Sequence, residues 1–252
     1  MLVASFVILQ APCVAAGIPA VMGLLALFRS MKPKLYSYWR SSAAFRVRIA
    51  LNLKGMDYEV IPVHLGKNGG EQMSESYGNK NPNRLVPLLD DGKNTIHQSL
   101  AIIEYLDEIQ AKPALLPSSP IDRAWVRSIA MDMAIDIHPI SNLRVLRHLI
   151  KEVGASNEVK DAWYQHWIKL GLASVEKQLS TDSRRGRFAF GDQPGLIDIC
   201  LVPQLFNAVS SKMEMSHYPT LMKILDECMK LPAFMDASWE KQIDAEGQNP
   251  SI

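Results

Sequence analysis

Every strand-like run in this chain falls between Lys34 and His97, and beyond the proline-containing stretch from Ala111 to Pro120 only helical periodicity remains. That asymmetry restricts the fold to a small mixed α/β unit followed by an all-helical one. Lys34 to Tyr38 reads as a strand. Ala43 to Lys54 has helical spacing, with Val47, Ala50 and Leu51 on one face, and Gly55 stops it. Tyr58 to Val63 is a second strand, followed by a glycine-rich stretch, a short helical segment from Glu71 to Tyr77 and the loop Asn79 to Arg84. Val86 to Leu89 and Thr95 to His97 flank the turn Asp90-Asp91-Gly92. Ser99 is then placed to cap a helix whose apolar face holds Ile102, Ile103, Leu106 and Ile109.

The order βαβαββα sets a parallel βαβ unit beside an antiparallel hairpin and a closing helix, which is a thioredoxin-like arrangement. The expected organisation is an apolar extension at 1–31, an α/β domain at 32–110, a linker at 111–120 and an all-α domain at 121–252. In the last, helical runs cover Ile121 to Ile150, Glu158 to Leu179, Leu196 to Ser210 and Thr220 to Met229. Trp163, Trp167 and Leu170 follow helical spacing and read as core.

With 27 basic and 26 acidic side chains the net charge is +1, so electrostatics supply no reason to expect nucleic acid. A small molecule or another subunit is the expected partner. Cys13, Cys200 and Cys228 show no paired spacing, which argues against a disulfide framework or structural zinc and fits a reducing, cytoplasmic setting. No metal-ligand cluster or phosphate loop is found, and no metal is expected. Met1 to Phe28 carries no charge, yet Pro12, Gly17, Pro19 and Gly23 weaken a continuous helix, and no basic residue precedes the apolar run as a secretory signal requires. Because Met31 directly precedes the first strand, the simplest account is a start site assigned too far upstream, with a membrane anchor as the alternative.

Three segments carry chemistry. At the junction of the first strand and helix, Ser41 and Ser42 read either as N-caps or as hydroxyls that, with the helix N-terminus, stabilise an external thiolate. Pro87, just inside a strand, reads either as an edge residue or as a cis peptide leaving the backbone of Val86 free to pair with a peptide-like ligand. His97-Gln98-Ser99, where the hairpin enters a helix, either caps that helix or binds a carboxylate.

Together these motifs resemble the zeta-class glutathione transferases, known as maleylacetoacetate and maleylpyruvate isomerases, from about Lys32 to the C-terminus. The resemblance is carried by Ser41-Ser42 with Arg46-Val47-Arg48-Ile49-Ala50-Leu51, by Asn81-Pro82 with Val86-Pro87, and by the run His97-Gln98-Ser99-Leu100-Ala101-Ile102-Ile103-Glu104-Tyr105-Leu106. Asp136-Ile137-His138-Pro139-Ile140-Ser141-Asn142-Leu143-Arg144 and Asp198-Ile199-Cys200-Leu201-Val202-Pro203-Gln204 extend it into the helical part. It implies glutathione as cofactor, held by Ser41, Ser42, Arg46, Gln72, Val86, Gln98, Ser99, His138 and Asn142, with Ser41 and Ser42 catalytic and Ser41 the principal thiol activator. As residues of the first helix, Arg46 and Arg48 read instead as structural pairs or solvent contacts. The resemblance further implies a homodimer, a dicarboxylate substrate held by Arg40 and Arg144, and a reaction in which the thiolate adds to and leaves a cis double bond.

Three departures bear on substrate. Ala43 stands where the family usually has cysteine. Gly195 stands where a Ser/Thr cap precedes Asp198 by three residues. Ser210 replaces a commonly substrate-facing arginine. Maleylacetoacetate is the expected substrate and maleylpyruvate the next. Conjugation or dehalogenation of small α-halo acids, and a non-catalytic glutathione-fold module, are the rivals.

Overall fold

The structure, a computed structural model, describes residues 32–246, so the expectation for the segment 1–31 lies outside them. Four strands form one sheet in the order β2-β1-β3-β4: β1 (Lys34–Ser37), β2 (Glu59–Pro62), β3 (Leu88–Asp90) and β4 (Thr95–His97). β1 and β2 are parallel, with Leu35 opposite Val60, while β1 with β3 and β3 with β4 are antiparallel. The ladder of β3 begins at Leu88 rather than at the expected Val86, because Pro87 has no N–H to give it. The Val86–Pro87 peptide bond is cis.

Helices α1 (Ser42–Leu53) and α3 (Ser99–Ile109) cover one face of the sheet, burying Phe45, Ile49, Ile102 and Leu106 against Leu35 and Leu89. The short α2 (Glu75–Lys80) lies on the other, where Tyr77 packs with Val63 and Val86. α1 ends in a Schellman motif. Gly55 takes φ +60° and its N–H reaches Asn52 O, while Met56 N–H reaches Leu51 O, so the predicted stop is a true left-handed cap. The hairpin turn is tied to α3 by Asp91, whose carboxylate accepts from Asn94 N–H at 2.7 Å and from Tyr105 Oη at 2.7 Å.

The helical part comprises α4 (Pro120–Met131), α5 (Leu143–Lys151), α6 (Asn157–Thr181), α7 (Leu196–Ser210), α8 (Pro219–Cys228) and α9 (Pro232–Met235). The single run expected from Ile121 to Ile150 is broken. A π-helical turn at Asp132–Ile137 follows α4, His138 N–H bonds back to Met133 O, and Pro139 cannot continue the ladder. α7 is buried almost all round and is the central core helix, with Phe206 meeting Phe45 of α1 edge-on at 5.2 Å. In α6 the core stripe is Ile168, Leu172, Val175 and Leu179, while Leu170 is 57% exposed, so the expected stripe through Leu170 is corrected. Among the described residues no helix is long and apolar enough to cross a membrane.

Candidate active site

β1 delivers the chain through Tyr38, Trp39 and Arg40 to Ser41, the N-cap of α1, whose Oγ accepts from Ala44 N–H at 3.2 Å. A serine hydroxyl that accepts still has its own proton to donate. Capping and binding an anion are therefore compatible in Ser41, which is half-buried and opens on a cavity. Ser42 is 3% exposed and its Oγ accepts from Asn207 Nδ2 of α7 at 2.8 Å, so its hydroxyl is set from the helical part.

What holds this turn rigid is Arg48, expected as a surface or paired residue and found fully buried. Its guanidinium donates to Ala237 O (2.9 Å), Ser37 Oγ (3.1 Å) and Trp39 O (3.0 Å), knitting the end of β1, the serine loop and the C-terminal segment together. Burial pushes its pKa down to about 10. Asp244 Oδ2 completes the clasp by accepting from Trp39 N–H at 3.0 Å. Arg46 is also buried, 2% exposed, and its Nε donates to Ser99 Oγ at 3.0 Å. Ser99 is thus the first residue of α3 and an acceptor for Arg46, not the cap. Gln98 occupies the cap position with φ +70°, a region that non-glycine residues seldom enter, and its side chain makes no cap bond.

Two cavities flank these elements. The larger, about 530 Å³, is lined by Tyr38, Arg40, Ser41, Ser42, Tyr164 and Gln204 among others. The smaller, about 300 Å³, is lined by Arg46, Val86, Gln98, Ser99 and Arg144 among others. His138 and Asn142 line both and so mark where they meet. Asn142 caps α5 by accepting from Arg144 N–H at 3.1 Å, and its Nδ2 lies 3.3 Å from His138 Nε2. Burial, then the positive charges of Arg46 and Arg144, hold His138 down to about 3. The ring is therefore neutral, with Nε2 free to accept from Asn142. Gln72 lines neither cavity; it is 8% exposed beneath Gly70, and its Oε1 is buried without a partner.

Arg40 and Arg144, grouped by the sequence as one pair, line different cavities: Arg40 the larger, with its guanidinium 5.3 Å over the Trp239 ring, and Arg144 the smaller. The larger cavity carries further cations that the sequence reading missed, namely Arg147, Lys151 and Lys160, against one carboxylate, Glu246. Glu246 is itself paired with Lys67 at 2.8 Å and with His64 at 3.1 Å. Ser210 is exposed, donates to Asn207 O at 3.0 Å and lines neither cavity. At Gly195 half of the capping device survives. Asp198 still accepts from Gly195 N–H (2.8 Å) and from Ala189 N–H (2.9 Å), while a Cβ on residue 195 would stand 3.0 Å from Leu115 O.

Comparison with known proteins fits this geometry. Residues 31–108 match the glutathione S-transferase N-terminal domain family. A probable maleylacetoacetate isomerase of Vibrio cholerae is 47% identical over 211 residues, covering 84% of this chain and 97% of that protein. The holo structure of maleylpyruvate isomerase, a bacterial zeta-class glutathione S-transferase, superposes with a TM-score of 0.82 at 43% identity, covering 84% of this chain and all of that one. A maleylacetoacetate isomerase from Methylobacterium extorquens AM1, solved with bound malonate and glutathione, gives a TM-score of 0.82 at 37% identity, covering 85% and 100% of the two chains. With a relative this similar along nearly its whole length, and with the serine turn, the cis-proline strand and the Gln98-Ser99 junction in place, the chain belongs to the zeta-class glutathione transferases, the family of the maleylacetoacetate and maleylpyruvate isomerases.

Proposed function

We propose that the protein isomerises a small cis-unsaturated dicarboxylic keto acid with glutathione as cofactor, maleylacetoacetate to fumarylacetoacetate in tyrosine breakdown first and maleylpyruvate to fumarylpyruvate next. The observation that carries this reading is the junction of the two cavities. The N-terminus of α1 with the Ser41 hydroxyl faces a cationic cavity, and that cavity meets, at His138 and Asn142, a second one lined by Val86, Gln98 and Ser99.

The second cavity suits a peptide. Val86 lies outside the β3 ladder, and the first residues of α3 line the same cavity, where a carboxylate is favoured by the helix dipole. Val86, Gln98 and Ser99 would hold the tripeptide, with Arg46 fixing Ser99 and Arg144 adding positive charge. Gln72 would contribute from beneath Gly70, where its Oε1 has no protein partner. Glutathione bound there supplies the thiol nucleophile that adds to the cis double bond and leaves once it has turned.

The chain's own residues then divide the work. Ser41 donates its hydroxyl proton to the anionic sulfur position while still capping α1, which together with the helix N-terminus favours the thiolate. Ser42, held by Asn207, keeps the second hydroxyl beside it. Arg40 binds a substrate carboxylate and stabilises negative charge developing during turnover. Neutral His138 and Asn142 close the boundary between the two ligands. The domain boundaries read from the sequence, a homodimer and a cytoplasmic location belong to the same proposal and rest on the family resemblance.

The test is an ultraviolet assay of maleylacetoacetate and maleylpyruvate isomerisation with and without glutathione. Turnover of at least one, absent without glutathione, is expected. Conversion of neither, with release of halide from an α-halo acid instead, would reject the reading.

A further inference from the structure

Along α6 the inward stripe is apolar from Leu179 back through Val175, Leu172 and Ile168, where it packs on protein. One and two turns further toward the N-terminus the same stripe reads Tyr164 and Lys160. Both line the larger cavity, as does Asn157 at the start of the helix. The face that buries aliphatic side chains in the core therefore becomes a phenol and an ammonium where it meets the cavity containing Ser41.

Lys160 is an expensive residue to place there. Its side chain is 11% exposed, and its one ionic partner among the described residues is Asp161, the adjacent residue, at 3.1 Å. Asp161 is 64% exposed, so that pair is screened by solvent and contributes little. Among the described residues the counter-ion of this mostly buried ammonium lies on the water side, and an anion arriving in the cavity would pair with its inner side. Tyr164 is set to assist. Burial raises its pKa to about 12, so the hydroxyl stays protonated and can donate, and the positive charge of Arg40 is close enough to oppose that rise.

Arg144 lies with Gln98 and Ser99 in the other cavity, and Ser210 is exposed outside both. We propose that Lys160, supported by Tyr164, is the second carboxylate anchor of the substrate cavity, with Arg40 as the first, and sets this protein's preference for dicarboxylic over monocarboxylic acids. The proposal rests on the reading that the larger cavity receives the substrate. It assigns the missing family arginine's task to a residue on a different helix, and leaves Arg144 to the glutathione side.

Malonate is the probe, measured by calorimetric titration into the full-length protein saturated with glutathione, alongside acetate as a monocarboxylate. Lys160→Gln should weaken malonate about tenfold or more, through loss of one charge-assisted contact, and change acetate and glutathione affinity less than threefold. Lys160→Arg should restore malonate to within about threefold of the wild type. Thermal melting of each variant confirms folding, and the arginine variant keeps the test decisive if the glutamine variant does not fold. Malonate binding unchanged in Lys160→Gln, an equal loss for acetate, no restoration in Lys160→Arg, or no malonate binding by the wild type would each overturn the proposal. Because this measurement needs no turnover, failure of the isomerase assay with malonate binding still dependent on Lys160 would reject the reaction and leave the anchor standing.

Discussion

Arg46 Nε donates to Ser99 Oγ at 3.0 Å with both residues buried, so the helix that carries the serine pair is bonded directly to the first residue of the helix that meets the second cavity. One hydrogen bond thus ties together two helices whose N-termini would act on the central thiol and on a terminal carboxylate of a single tripeptide. Ser99→Ala leaves a buried guanidinium without this acceptor and should cost roughly 1.5–3 kcal/mol of stability. Chemical denaturation would report that loss, and glutathione affinity should fall with it. Full stability with weakened glutathione would place the role of Ser99 in ligand contact alone.

Ser41 and Ser42 should respond differently to the same change. Ser41→Ala removes a donor to the thiolate, about ten- to a hundredfold in rate, together with a helix cap worth about 1 kcal/mol. Ser42→Ala leaves the cap intact and frees the Asn207 amide. Turnover at saturating glutathione, compared for the two variants, decides the assignment: a greater loss in Ser42→Ala would move the activating role to that residue.

The pH dependence of stability has a contribution that can be isolated at His138. Its folded pKa is about 3, against an ordinary value near 6.5, so the unfolded chain takes up a proton first as pH falls. The stability contributed by the neutral ring is complete above about pH 6.5 and is lost progressively between there and about pH 3, by at most ~1.4 kcal/mol per unit. Asp198 acts in the opposite sense, since burial raises it to about 6 and its contribution is lost as pH rises through that value. Comparing wild type with His138→Gln cancels the Asp198 share. The stability difference should shift in favour of the variant as pH drops from 7 to 4, and a pH-independent difference would contradict the neutral assignment. Nuclear magnetic resonance of the ring should show no titration between pH 5 and 8.

Gly171 lies within α6 where that helix crosses the π-turn preceding His138, and a Cβ there would come 2.2 Å from Ile137 Cγ1. Gly171→Ala should therefore destabilise by about 1–3 kcal/mol through overpacking, despite alanine's better helix propensity. Ile137→Ala, which removes both Cγ1 and Cδ1, should couple with it, the double variant being more stable than the sum of the two single losses, because the two positions share one contact. Strictly additive effects in the double variant would mean that the collision is relieved elsewhere.

These residues also show why parts of the site were legible in sequence and others were not. The serine turn, Val86-Pro87 and Gln98-Ser99 combine local backbone chemistry with short-range order, and those signals survive in one dimension. The π-turn did not. Asp132–Ile137 continues the helical spacing of α4, and nothing in that spacing reveals the extra residue that turns His138 toward the cavities. Lys160 and Tyr164 were hidden for a related reason. A stripe that switches from apolar to polar midway gives no clean period, and the nearby Trp163 and Trp167 suggested a different face, whereas Trp163 is fixed by donating its Nε1 proton to Ile140 O at 2.9 Å. The burial of Arg48 was not legible because a charged residue in a helix is usually on the surface, and only the folded chain brings Ala237 O to its guanidinium.

The two arginines that sequence treated as a pair should separate by ligand. Arg40 lines the cavity with Ser41, so Arg40→Gln should raise the Michaelis constant for the dicarboxylate about tenfold and leave that for glutathione within twofold, since one charge-assisted contact is removed. Arg144 lines the cavity with Val86, Gln98 and Ser99, and Arg144→Gln should do the reverse. Ser210→Arg tests the remaining position. With Ser210 exposed and outside both cavities, an arginine there should extend into solvent and change the preference for dicarboxylic over monocarboxylic substrates less than twofold. Steady-state kinetics with glutathione and substrate varied in turn, on a matched pair of mono- and dicarboxylic cis-enones, measures all three variants. Loss of substrate affinity alone in Arg144→Gln would mean that the substrate spans both cavities. A selective gain for the dianion in Ser210→Arg would show that the side chain turns inward from the end of α7 and restores a contact this chain lacks.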